Sequence, residues 1–154
     1  MTLYWISAEW NHEEKTVAYK SIVYLAKKDT FSLEDYENVR EQIIKEAFSD
    51  NPILSSLAEG PFITCIYRIN PESKMFNGTT SSFIFSYVAN TNEEMIKAQS
   101  EINISLMLNG FNKSKPKDLF TAFAFFLAEV KKEAERLFEK KFVDFTITYI
   151  HELY

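Results

Sequence analysis

The chain has 154 residues, 46% of them hydrophobic and 25% charged, with 3 Gly and 4 Pro; this excludes a disordered or linker-rich protein and predicts one domain over residues 1–154. A net charge of −5 and a pI near 5.1 argue against general nucleic-acid binding, which needs a basic face. The lone Cys65 excludes an intramolecular disulfide and any CxxC metal site.

The start, MTLYWISAEWNHEEK, lacks the basic-then-apolar pattern of a secretory signal, so the cytoplasm is the expected compartment. LYWISAEW (3–10) alternates as a strand, with Tyr4, Ile6, Ala8 and Trp10 on one face and Leu3, Trp5, Ser7 and Glu9 on the other. NHEEK (11–15) is a polar connection, and TVAYKSIVYLAKK then reads as a second strand, β-branched and aromatic, so a hairpin is expected.

The first helix follows. Ser32 is a good N-cap with Asp35 three residues on, and Phe31 and Tyr36 are placed as a hydrophobic staple. Leu33, Tyr36, Val39, Ile43 and Ala47 recur at helical spacing, and Asn51-Pro52 stops the run. FITCIYRI (62–69) and SFIFSYVA (82–89) read as a second pair of strands across a loop with Asn-Pro and Asn-Gly turn signals.

TNEEMIKAQSEINISLMLNG (91–110) satisfies two patterns at once. Thr91 with Glu94 writes a capping box and Asn109-Gly110 a helix stop, whereas EINISLML (101–108) alternates like a strand. The caps favour helix. NKSKPK (112–117) is a basic loop whose lysines are expected to be solvated. The longest helix then spans about 117–141, and VDFTITYIHEL (143–153) is a strand with Val143, Phe145, Ile147 and Tyr149 on one face.

The expected fold is therefore α+β, in the order ββαββα(α)β: a mainly antiparallel sheet of about five strands covered by two or three helices. On the long helix, Phe120, Phe123, Phe126, Leu127, Val130, Ala134, Leu137 and Phe138 fall within one apolar arc that faces the sheet. The run Leu119–Val130 already contains Glu129 and is too short to cross a membrane, which takes roughly 20 residues. Phe125 points away from the apolar arc. It needs either a second layer of protein or an interface.

Chemistry is sparse. Cys65 sits mid-strand and reads as a small core residue. His12 and His151, each followed by glutamate, would form an acid–base or metal site only by converging. With glycines only at 60, 78 and 110, no phosphate-binding loop can be written. No cofactor, metal ligand or catalytic set is assigned.

The expected function is a non-enzymatic protein-binding module, such as an immunity protein, antitoxin or phage-type inhibitor, that occludes a partner protein. The support is small size, acidic charge, excess aromatics (16%) and a lysine-, isoleucine- and asparagine-rich composition of microbial or viral kind. Phe125 and Trp10 would be the anchors, and Glu13 and Glu14 would steer toward a basic partner. A second copy of the chain is another expected occupant. Two other classes compete: a small-molecule binding domain with an aromatic cavity between sheet and long helix, and a small enzyme using His12 or His151 with a carboxylate.

Overall fold

Alternation places Tyr4, Ile6, Ala8 and Trp10 on one side of β1 (Thr2–His12), and all four are buried against Val39, Ile43 and Ala47 of α1 (Leu33–Asp50). The computed structural model describes residues 1–51 and 58–154. β2 (Lys15–Ala26) and β3 (Glu59–Arg68) pair antiparallel with β1, giving a three-stranded sheet in the order β2-β1-β3. Asn51 is the C-cap of α1, and Pro52 lies outside the described residues.

The start of α1 is the capping box that the sequence predicts. The Asp35 N–H donates to Ser32 Oγ at 3.1 Å, while Asp35 accepts from the Ser32 N–H at 2.9 Å and from the Tyr24 hydroxyl at 2.8 Å. The Ser32 backbone donor, followed by the Tyr24 and Ser32 hydroxyls, holds the Asp35 carboxyl below its ordinary value. A lowered folded-state pKa contributes stability above the unfolded value, about 4 for a carboxyl, and that contribution is lost as the pH falls through the lowered value. Asp35→Asn is thus expected to flatten this part of the acid limb in a plot of melting temperature against pH. An unchanged acid limb would show that Asp35 is not held this way.

The second half repeats the order of the first. β4 (Ser81–Asn90) and β5 (Met95–Ile104) form a hairpin, α2 (Pro116–Phe138) follows, and β6 (Asp144–Leu153) returns to the free side of β4, giving the order β5-β4-β6. The α+β class and the antiparallel pairing stand, but the single five-stranded sheet is corrected to two sheets of three strands with two α-helices among the described residues. No helix among them is long and apolar enough to cross a membrane.

The helix expected over 91–110 is β5. Thr91 is a turn residue rather than an N-cap: its Oγ1 accepts from the N–H groups of Glu93 and Glu94, and its own N–H donates to the Glu94 carbonyl, closing a two-residue loop. The same hydroxyl-to-backbone bonds serve a helix cap and a tight turn equally well. Alternation decides the matter, because Ile102, Ile104 and Leu106 are all buried at every second position.

A β-bulge also corrects β6. Ser86 pairs with Tyr149 and Tyr87 with Ile147, so Thr148 is the extra residue. Beyond it the inward set shifts to Ile150 and Glu152, and Tyr149 points outward.

The bulge also joins the halves. The Ile147 carbonyl accepts from Trp5 Nε1 at 3.0 Å and from Ser7 Oγ at 2.5 Å, both on the face of the first sheet opposite α1. On that same face Phe123 of α2 packs 5.9 Å from Trp5 and 6.4 Å from Tyr67, ring centre to ring centre. The first sheet is therefore covered on both sides, which is why Trp5 and Trp10 can point in opposite directions.

Candidate functional site

The polar chemistry of the chain is dispersed. His12 pairs across the hairpin with Lys15, at the end of β1 that lies beside Glu59. His151 pairs with Ile84 and adjoins Glu152. The Glu152 carboxylate accepts from Ser73, in the loop that follows the opposite end of β3. With roughly 3.3 Å per strand residue, β3 separates the two histidines by some 30 Å, so they do not share a cleft. Among the described residues no three His, Cys, Asp or Glu side chains lie together as a metal site would require.

The other reactive groups face inward. Burial pushes the Cys65 thiol up, opposed by the Ile150 backbone donor, so the thiolate needed for attack is disfavoured. Ser73 is 3% exposed and Glu152 4%, so neither is open to a substrate. Their hydrogen bond instead pins the loop between β3 and β4 onto β6. Tyr67 is pushed up by burial and then by the charge of Glu152, and its phenol stays protonated through the neutral range.

Among the described residues, buried side chains of the second sheet and of α2 form one packed cluster. Phe126 packs 4.9 Å from Phe83 and 5.3 Å from Phe123, where the cavity reading required room for a ligand. The recesses lie at the surface instead. One of them, about 600 Å³, is a cleft between the halves lined by Trp5, Tyr19, Lys20, Asp50, Asn90 and Asp144 among others. Its charged and amide groups differ from the ring-lined pocket expected.

The surface of α2 is the exception to this ordinary pattern. Between Asp118 and Glu129, over residues 119–128, its solvent-facing residues are Phe120, Thr121, Ala124, Phe125 and Ala128, and none is charged. Phe120 is 50% exposed and Phe125 55%, so neither is covered by a second layer. Leu137 and Phe138, predicted within the buried arc, are also partly exposed near the end of the helix. Phe125 and Glu129 line a recess of about 510 Å³ together with residues 103–108, where the Met107 side chain is 96% exposed. Both patterns for 101–108, the helical stripe through Ile102 and Leu106 and the strand alternation, turn Met107 away from the buried side; neither shows that it lies beside Phe125.

The four residues singled out from the sequence do not form one patch. Trp10 is 1% exposed beneath α1, so it is a core residue and not an anchor. Glu13 and Glu14 form the exposed tip of the first hairpin, both at positive φ (50° and 64°). Next to that tip, Thr16 accepts from Lys97 near the start of β5. Phe125 lies beside the end of β5, about 20 Å farther along the strand at its usual rise.

Comparison with known proteins finds no matching family model, and no curated protein or solved structure of significant similarity.

Proposed function

We propose that this chain is a non-catalytic protein-binding module that acts by covering a surface of a partner protein, in the manner of an immunity protein, antitoxin or phage-type inhibitor. The observation that carries this reading is the uncharged outer face of α2 over three turns, continuous with Met107. Exposed aromatic side chains flanked by small residues let a partner approach closely, and methionine adapts to irregular contours. Phe125, Met107 and Phe120 are the anchors. Glu13 and Glu14 lie too far away to touch the same contact and act at range, through the rate of encounter with a basic partner.

Wild type and Phe125→Asp, each immobilised, are expected to differ when exposed to an extract of the native host. Wild type retains a stoichiometric protein, and the variant loses about 30-fold or more in affinity for it, as expected for an interface anchor worth about 2 kcal/mol. The variant should melt within about 2 °C of wild type, because Phe125 is outside the core. Equal capture by both forms would remove α2 as the binding surface.

A further inference from the structure

We propose that β5 pairs edge to edge with β5 of a second copy of this chain, antiparallel and with the two-fold axis at Gln99. This does not depend on the proposed function, since it uses a different surface. The starting point is the turn at 91–94. The Thr91 N–H donates to the Glu94 carbonyl, and the β4–β5 register then runs from Asn90↔Met95 to Ser81↔Ile104 without a shift. Hydrogen-bonded and non-bonded pairs alternate along such a ladder. Ile96, Ala98, Ser100 and Ile102 therefore exchange bonds with β4. Met95, Lys97, Gln99, Glu101 and Asn103 direct their N–H and C=O groups to the open side, and among the described residues no backbone group meets them there.

Open edges are usually blunted by a bulge, a proline, a cover or charged side chains, lysine above all, and of these β5 carries only charges, Lys97 and Glu101, which are of opposite sign. The three other strand pairings each carry a register shift, β3 carries Pro61, and the Ile147 carbonyl of β6 is bonded to the first sheet. The β4–β5 pairing has no shift, and β5 contains neither glycine nor proline. What β5 carries instead is a sequence complementary to itself, Ile96-Lys97-Ala98-Gln99-Ser100-Glu101-Ile102.

With the axis at Gln99, Lys97 of each copy stands opposite Glu101 of the other, Ile96 opposite Ile102, and Gln99 opposite itself. Opposite charges and apolar pairs directly across an antiparallel ladder are stabilising, and like charges are not. The neighbouring registers are worse. Moving the axis by one residue sets Lys97 against Gln99 or Asn103, and moving it by two sets Lys97 against Lys97 or Glu101 against Glu101. Lys97, Gln99 and Glu101 are all exposed, so this register needs no rearrangement of the core. The result is one continuous six-stranded sheet, with an isologous interface of the kind that closes on itself.

Sedimentation velocity on the purified chain over a concentration series tests this. Wild type is expected to dimerise, less tightly at high salt. Lys97→Glu and Glu101→Lys each create two like-charge pairs and should weaken the dimer by about tenfold or more. The double exchange restores the pairs and should return it to within about threefold of wild type, although it does not restore the contacts of Lys97 with Thr16 and Tyr19. Gln99→Pro removes an outward N–H and leaves the β4 ladder intact, so it should abolish the dimer while the monomer keeps its melting temperature. A wild type that stays monomeric throughout overturns the proposal. So does a dimer that neither charge exchange alters, a double exchange no better than the singles, or a dimer lost in Phe125→Asp but kept in Gln99→Pro.

Discussion

Phe126→Ala is expected to remove about 3–5 kcal/mol of stability, the usual range for truncating a fully buried phenylalanine. The side chain is 0% exposed and packs between β4 and a neighbouring ring of its own helix. Phe83 of β4 lies 4.9 Å away and Phe123 of α2 5.3 Å, and Phe123 in turn packs against Trp5 and Tyr67 of the first sheet. Close packing on all sides leaves little for the surroundings to collapse into, so the lost ring becomes a cavity rather than a repacked core. Against a total stability of about 5–15 kcal/mol, the loss is large, and thermal melting should fall on the order of 10 °C. Phe125→Ala is the comparison. One residue along the helix the ring is 55% exposed, and its truncation should change stability by only about 0.5 kcal/mol. Equal losses at the two positions would mean that α2 buries a different face from the one described.

The pair Phe125 and Phe126 also marks how far sequence reading reaches. Helical periodicity alone separates them, because 100° per residue turns one ring inward and the next outward. What periodicity does not say is whether the outward ring has a neighbour above it, since that depends on where the other elements pack. The same limit applies to Phe120, inside the predicted apolar arc yet half exposed at the rim of the helix.

Local signals were sufficient wherever a single backbone conformation satisfies them. The Ser32–Asp35 box and the alternation of β1 leave no second reading, and both are found as expected. The Thr91–Glu94 signal is degenerate: a hydroxyl accepting from nearby N–H groups caps a helix or closes a hairpin. The buried series Ile102, Ile104, Leu106 resolves it, but it lies ten or more residues downstream of the cap. Assembly of the strands into two sheets rests on pairings as distant in the chain as Tyr4 with Arg68 and Ser82 with Leu153, and the bulge at Thr148 lets Ile147 bond Trp5 and Ser7, more than a hundred residues away. Such contacts leave no periodic trace. The candidate surface was therefore legible only as one unexplained ring; the self-complementary edge appears once β5 is known to be a strand, and Met107 joins the surface once the segment after β5 is placed beside α2.

Gly60→Ala should be the most damaging of the small substitutions, with an expected loss of about 3–5 kcal/mol. Two independent terms add. Gly60 has φ of +142°, a region that residues with a Cβ occupy only under strain of about 1–3 kcal/mol. A Cβ built there would also lie 2.9 Å from the Glu9 carbonyl oxygen and 3.0 Å from the Trp10 ring. The carbonyl belongs to the central strand β1, and Trp10 is locked beneath α1 with 1% exposure, so neither can step aside without disturbing the first core. Gly78→Ala separates the terms. Its φ is +76°, but a Cβ there meets nothing within 4 Å, so only the backbone term of about 1 kcal/mol remains. Urea unfolding followed by tryptophan fluorescence should place the two variants well apart, with Gly60→Ala also changing the native spectrum through Trp10. If both lose the same small amount, Trp10 yields to the methyl group, and the seam between β1 and β3 is looser than its geometry implies.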